Sequence, residues 1–544
     1  MACDTCRAMQ LDLDALVWPG RHQPVLAARG MVATSQPLAT RVGVDILRDG
    51  GNAVDAAIAT AAALTVVEPA TSSIGGDSFA MVWDGDRLYG LNGSGRAPNG
   101  LSADRIRSAG LDAVPDHGWL PVTVPGTPFA WADLHARFGS LPFDRVLAPA
   151  IDYARNGHPV SSISRWHWRW EVEQVHPRLE GNEFGGFMSL WAPSGNPPRV
   201  GDIWSSAEMA DTLTLLAETG AHAFYRGGVA ERIVEFSAAT GGLLSEDDLG
   251  SHASTWVDPI STSYRGYDVW EIPPNGQGLA ALMALGILEG FDLSRWPRNS
   301  VEGIHLQIEA MKLSFADVQR FVGDPERVPV PVDEMLSKDY AARRRGLIGA
   351  VASSPAAGSP SGSDTAYLCT ADSNGMMVSY IQSTYDGFGS HVVVPGTGIV
   401  LQNRGSAFSL DPAHPNFVEP GKRPFHTIIP GFLSKGGRAV GPFGVMGGHM
   451  QPQGHVQMIV NTIDYGMDPQ TSLDQPRWFW WKDRATRHEP SAGAVVDELR
   501  RRGHDALVWN ELDAYGRGQI IWQLPSGAYI AGSDHRGDGQ ASGF

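Results

Sequence analysis

Ala352-Ser-Ser-Pro-Ala-Ala-Gly-Ser-Pro-Ser-Gly-Ser363-Asp364-Thr365-Ala-Tyr-Leu-Cys-Thr370 changes character at one point. From Ala352 to Ser363 every residue is Ala, Ser, Pro or Gly. Such a run buries too little apolar surface to offset the entropy of ordering it, so it reads as a disordered linker. After Asp364 the composition turns to Thr-Ala-Tyr-Leu-Cys-Thr, which reads as a strand. A strand that begins with Thr straight after a loose lead suits a chain that is cut between Asp364 and Thr365. The cut would leave Thr365 with a free α-amine beside its own hydroxyl. That amine can take the hydroxyl proton and turn the oxygen into a nucleophile.

Outward from this point the chain alternates strands and helices. Ala366 to Ala371 and Met376 to Gln382 flank the turn Asp372-Ser-Asn-Gly375 and predict a hairpin. Further β segments are expected at 392–402 and 439–446, a helix at 453–465, and a closing strand pair at 519–531. Upstream, Leu38, Val42, Val44 and Leu47 recur at helical spacing and predict a helix over 37–48, stopped by Asp49-Gly50-Gly51-Asn52. Asn52 can cap the next helix, Ala53 to Val67, which is apolar on most faces and should be buried. A hairpin follows, Phe79 to Trp83 and Leu88 to Asn92, which implies a sheet with helices outside. More helices are read around 126–158 and 207–240, and the strongest at Ser300 to Val322. There is no internal repeat.

Composition excludes several function classes. The 544 residues are 42% hydrophobic with a net charge of −17, enough for a large core and unfavourable for nucleic acid, a polyanion. Three cysteines cannot build a disulfide framework. Cys3 and Cys6 form a lone C-x-x-C read as inert tail, and Cys369 is expected in the core. The first residues show no basic, apolar leader pattern, and the longest apolar stretch, Ala56 to Val67, is too short for a bilayer, so a cytoplasmic protein with no membrane partner is expected. His449 and His455 match no metal motif and no phosphate-binding glycine loop is present, so no metal and no cofactor are expected. The aromatic stretches 166–170 and 478–482 are read as packing or a subunit contact rather than as base-stacking platforms.

Several segments together resemble the γ-glutamyltranspeptidase family of N-terminal nucleophile hydrolases. They are Gly50-Gly51-Asn52-Ala-Val-Asp55, Glu309-Ala-Met311-Lys-Leu-Ser-Phe-Ala-Asp317, Asp364-Thr365, Phe388-Gly389-Ser390, Gly421-Lys422-Arg423-Pro424, Gly447-Gly448 and Asn461-x-Ile-Asp464-Tyr-Gly466. The resemblance runs from about residue 28 to the C-terminus. It implies an α+β fold, a four-layer αββα sandwich, made as one precursor that cleaves itself. It divides the chain into a tail (1–27), a large fragment (28–364, with 352–364 the linker before the cut) and a small fragment (365–544) that stay associated. By the same resemblance Thr365 is the nucleophile, Ser383 supports it through a hydrogen bond, and Gly447 and Gly448 offer N–H groups to the oxyanion. Assembly beyond the two fragments is left open.

The departures from the family pattern bear on the substrate. γ-Glutamyl enzymes hold the substrate's α-carboxylate and α-amino group with residues that are Ser94, Ala407, His426, Thr427 and Tyr385 here. Losing a buried charged partner costs several kcal/mol, so a γ-glutamyl substrate is disfavoured. Gln402-Asn-Arg404-Gly, Phe408-Ser-Leu-Asp411 and Pro424-Phe425-His426-Thr427 resemble the oxamate amidohydrolase branch instead. Arg404 is then the expected carboxylate clamp, with Arg96, Ser94, Tyr385, His426 and Thr427 as further substrate contacts. The expected activity is hydrolysis of a small carboxylate-bearing amide through an acyl-enzyme. A rebuilt γ-glutamyl hydrolase or transpeptidase, a β-lactam side-chain acylase, a biosynthetic relative that breaks a C–C bond, and a non-catalytic binding homologue stand as alternatives.

Overall fold

A computed structural model describes residues 23–355 and 364–544. Two seven-stranded antiparallel sheets form its centre. The first runs, in spatial order, Gln540–Gly543, Met31–Thr34, Asp364–Ala371, Met377–Tyr385, Asp77–Trp83, Leu88–Asn92 and Thr255–Val257. The second runs Val25–Ala27, Tyr529–Ser533, Arg517–Gln523, Arg438–Met446, Gly431–Lys435, Tyr267–Glu271 and Ile260–Tyr264. Strands from before and after residue 364 lie side by side in both sheets.

The period-2 alternation of the strand at 364–371 shows why four layers form. Tyr367, Cys369 and Ala371 pack into the cluster between the sheets, with Met31, Phe79, Phe432 and Met446. Ala366 and Leu368 face the other way, onto the helices Pro37–Arg48 and Ala53–Val67. The second sheet repeats the pattern. Phe432, Met446 and Ile521 face the first sheet, while Leu433, Phe443, Val445 and Trp522 face the helices Gly278–Leu288, Val301–Phe321 and Met450–Ile463. This is the αββα sandwich.

The helix Ala53–Val67 is buried at every residue. Asn52 caps it as expected, and Asp55 answers through its own side chain, closing a reciprocal capping box. The hairpin of Asp364–Ala371 and Met377–Tyr385 is tied to it, because the turn residue Asp372 accepts the Ala53 N–H at 2.9 Å.

Some expectations need correction. The tail expected over 1–27 ends sooner: Val25–Ala27 pair with Tyr529–Ala531, giving a sheet edge its last strand. Residues 1–22, with Cys3 and Cys6, lie outside the described residues. The linker expected to be disordered from 352 is held at its start. The Ala352 N–H donates to the Arg502 carbonyl at 2.7 Å and the Ser353 N–H to the buried Glu309 of the helix Val301–Phe321 at 3.0 Å, and these two bonds fix it. Asp364 already belongs to the strand, and 356–363 lie outside the described residues. The helix expected at 453–465 spans Met450–Ile463, since Pro452 falls in the first turn, where its missing N–H costs nothing. No helix among the described residues is long and apolar enough to cross a membrane.

Candidate active site

Thr365 shares the strand parity of Tyr367, so its side chain points between the sheets. Tyr367 lies against Gly444 of the facing strand, where a Cβ would come within 2.6 Å of its ring. One pleat nearer the proposed cut, Thr365 meets the end of that strand and the start of the helix Met450–Ile463: Gln451 Nε2 donates to Thr365 Oγ1 at 3.5 Å. The register with the neighbouring strand slips between Asp364 and Ala366, a bulge that leaves Ser383 and Thr384 opposite Thr365. Thr365 Oγ1 donates to Ser383 Oγ at 3.3 Å. Ser383 Oγ also accepts from the Tyr385 N–H at 2.8 Å and from Arg404 Nη2 at 3.3 Å.

Arg404 is completely buried. Its Nη1 donates to Thr427 Oγ1 at 2.7 Å, and its guanidinium lies 4.2 Å from the centre of the Tyr385 ring. No carboxylate among the described residues pairs with it, and its Nε has no partner. Burial pulls its pKa down to about 10, partly offset by Tyr385, Asp77 and Asp386. Tyr385 holds a left-handed backbone at φ 85°, costly for a residue with a Cβ and the kind of strain that collects at functional sites.

Gly447 and Gly448 end the strand Arg438–Met446 with φ of 117° and 55°. A Cβ on Gly447 would lie 3.0 Å from the Gly516 Cα, so only glycine fits there. Neither glycine N–H finds an acceptor among the described residues, which leaves two donors at the positive end of the helix Met450–Ile463. Gln277 pins this corner: its Nε2 donates to the carbonyls of Gly448 at 2.8 Å and Thr427 at 2.6 Å.

The remaining expected contacts stand apart from this group. His426 donates from Nε2 to Asp77 at 3.2 Å, and its Nδ1 accepts from Ile428, so both ring nitrogens are engaged in the core. Burial first, then Arg404, pushes its pKa well down, and it is neutral. Asp77, fully buried, is pushed up to about 6 by burial, against bonds from Gln402, Gly95 and Gly126 and the charge of Arg404. Ser94 donates to Asn92 at 2.6 Å and accepts from Asn275 at 3.2 Å. Arg96 turns to Glu326 at 2.7 Å and Asp324 at 3.5 Å, with no hydrogen bond to Thr365, Ser383 or Arg404.

A cleft of about 480 Å³ opens beside Gly447 and His449. Trp166 and Trp170 wall it from one segment, Phe479 and Trp481 from another. The reading of both aromatic stretches as packing is therefore half right: alternation in the strand Trp478–Lys482 sends Trp478 and Trp480 into the core and Phe479 and Trp481 to the cleft. Thr365, fully buried, is not among the cleft's walls.

Gln451, Gln277 and Asp77 were not singled out as site residues from sequence. Asp77 stands in the Gly75-Gly76-Asp77 turn and Gln451 four residues after Gly447, but neither carries a local signal of its partner. The structure also gathers His305, Glu309 and His504, with ligand atoms within 4.8 Å of one another. There Lys312 Nζ, 2.7 Å from Glu309, supplies the positive charge.

The family model for γ-glutamyltranspeptidase matches residues 39–544. The chain belongs to the γ-glutamyltranspeptidase family. It is an enzyme of the N-terminal nucleophile hydrolase type. The glutathione hydrolase-like YwrD proenzyme of Bacillus subtilis is 38% identical over 535 residues, covering 96% of this chain and all of the relative. The oxamate amidohydrolase proenzyme of Klebsiella pneumoniae is 33% identical over 540 residues, with 96% and 100% covered. The solved cephalosporin acylase from Bacillus halodurans is 49% identical with a TM-score of 0.94, covering 97% of this chain and 98% of that one.

Proposed function

We propose that the chain is a self-processing amidohydrolase whose nucleophile is Thr365 and whose substrate is a small amide bearing a carboxylate on its acyl side, as oxamate does. In the precursor, Thr365 Oγ1 attacks the Asp364 carbonyl carbon; the C–N bond breaks as the ester forms, which frees the Thr365 amine, and water then splits the ester into the Asp364 α-carboxylate and the Thr365 hydroxyl. In the mature enzyme that amine takes the hydroxyl proton as Oγ1 attacks the substrate carbonyl. The N–H groups of Gly447 and Gly448 hold the oxyanion, the proton passes to the departing amine, and water releases the acid. Ser383 orients Oγ1, and Gln451 approaches it from the helix start.

One observation carries the substrate side. Arg404 is a buried cation with no carboxylate partner among the described residues, one hydroxyl away from Thr365. A buried charge without a counter-ion is costly, and a substrate carboxylate supplies what is missing. Tyr385 and Thr427 set the plane and tilt of its guanidinium.

A second reading, an acylase that releases a bulky amine from a carboxylate-bearing side chain, is favoured by the size of the cleft beside Gly447 and by the likeness to the cephalosporin acylase. Intact mass of the purified protein should show two pieces, the smaller starting at Thr365, while Thr365→Ala stays whole. Mature protein is then assayed on oxamate and on γ-glutamyl-p-nitroanilide. Rapid release of nitroaniline with no turnover of oxamate would overturn the substrate assignment. A single unbroken chain that still turns over would overturn the mechanism.

A further inference from the structure

We propose that the cleft beside Gly447 seats the amine half of the substrate, and that this half is an aromatic ring carrying an acidic group that reaches Arg487. The inference rests on the amidohydrolase reading for which half of the amide is which.

The two halves of an amide leave its carbonyl in opposite directions. If the acid of the acyl half lies against Arg404, in the fully buried interior, the amine half must extend from Thr365 toward solvent. The cleft lined by Gly447 and His449 offers that direction: His449 stands two residues before Gln451, whose Nε2 lies 3.5 Å from Thr365 Oγ1. Its volume of about 480 Å³ is far more than an ammonia leaving group needs and falls in the range of sites that hold ring-bearing ligands.

The walls define the chemistry. Trp166 and Trp170 are 51% and 55% exposed, among the most exposed large apolar side chains described. Phe479 and Trp481 line the same space. Aromatic faces left open around a cleft favour a flat, polarisable occupant, which gains both buried area and ring geometry.

Arg487 adds a directed charge. Its guanidinium lies 4.8 Å from the Trp481 ring centre and 4.5 Å from that of Trp509. Two indoles holding a guanidinium by its faces leave the N–H edge free for a two-pronged acceptor. No carboxylate among the described residues pairs with it. Glu511, which shares the cleft, accepts instead from Trp509 Nε1 at 3.2 Å. The deeper acids are engaged as well: Glu171 with His391 at 3.0 Å and Asp386 with Asn403 at 3.0 Å. Asp116 stands exposed beside His117. His117 and His449 are both pushed down to about 4 by burial and add no charge at neutral pH. Arg487 is therefore the cation an acidic substituent would find.

The test uses product amines, so it does not depend on which acyl group is natural. Mature protein is titrated at pH 7.5 in a calorimeter with 4-aminobenzoate, aniline and trans-4-aminocyclohexanecarboxylate. 4-Aminobenzoate should bind about tenfold or more tighter than either of the others, since each lacks one of the two features. Arg487→Met should bring it to the level of aniline, Arg487→Lys should keep part of the preference, and Trp481→Ala should weaken both aromatic amines. Equal affinity for the three compounds in the wild type, or an unchanged ranking in Arg487→Met, overturns the proposal; the wild-type ranking decides even if a variant fails to fold. Binding of 4-aminobenzoate by protein that hydrolyses no amide would sink the amidohydrolase reading and keep the cleft assignment. Turnover of oxamate without any binding of 4-aminobenzoate would do the reverse. No amine binding, together with self-association that Trp170→Ala abolishes in sedimentation, would make this face a subunit contact and overturn the proposal.

Discussion

Replacing Arg404 by Met should separate function from stability, with opposite results for the two. Met removes the bonds to Thr427 at 2.7 Å and Ser383 at 3.3 Å and the stack on Tyr385. Hydrogen bonds to a charged group contribute roughly 1.5–3 kcal/mol each. Against that loss stands the relief of a buried cation with no carboxylate paired to it among the described residues, several kcal/mol per ion. The two terms are of similar size, so the folded protein should stay within about 1–2 kcal/mol of wild type or exceed it. Arg536 is the control. It is equally buried but paired, to Glu489 at 2.5 Å and Asp534 at 3.0 Å, and Arg536→Met should cost about 3–5 kcal/mol because it strands two carboxylates. Activity should run the other way. Loss of a buried partner for the substrate carboxylate is worth roughly 3 kcal/mol, about a hundredfold in kcat/KM on oxamate. Urea unfolding followed by tryptophan fluorescence gives the first quantity and steady-state kinetics the second. If Arg404→Met destabilises as much as Arg536→Met while kcat/KM holds, Arg404 is a framework residue and the clamp argument fails.

Three further outcomes follow from the same geometry. Asp77 has a carboxyl raised to about 6 in the fold against 3.8 when exposed, so the folded state holds its proton longer than the unfolded chain. Its contribution to stability is present below pH 4 and is lost as pH rises toward 6, on the order of 3 kcal/mol. Asp77→Asn should flatten that part of the stability–pH curve, measured by denaturant midpoints from pH 4 to 7; an unaltered slope would show that Asp77 titrates normally. Gly447→Ala should lower kcat by roughly a hundredfold or more, because its Cβ would press on Gly516 and turn the N–H from the oxyanion; mature protein with wild-type kcat would remove Gly447 from the mechanism. Glu309→Gln should destabilise by about 3–5 kcal/mol, since Lys312 and Glu309 are both buried and 2.7 Å apart. A midpoint within error of wild type would show that the buried Lys312–Glu309 pair does not contribute to stability.

How far the site was legible depended on whether the information was local. The N-cap at Asn52 and the Ala-rich buried helix after it are written in adjacent residues, and they stand in the structure as read. The Asp364/Thr365 boundary is a composition change visible at one position. Gln451 and Gln277 had no such mark, because a glutamine becomes a site residue only through what it reaches across the fold. The aromatic stretch 478–482 was ambiguous for a related reason. Its first four residues are all large and aromatic, so hydrophobicity could not tell the core face of the strand from the cleft face.

Sequence alone determined where the composition turns from linker to strand, at Asp364 and Thr365, which of the longer segments are helical, and, through ordered motifs, the family. Those properties follow from short-range propensity and from residue order along one chain. Tertiary structure alone decided that Arg404 lies buried next to Ser383 with no carboxylate paired to it among the described residues, while Arg96, also a charged candidate, pairs with Glu326 and Asp324. Charge pairing and burial depend on distances between segments hundreds of residues apart, and only the packing of the two sheets sets them.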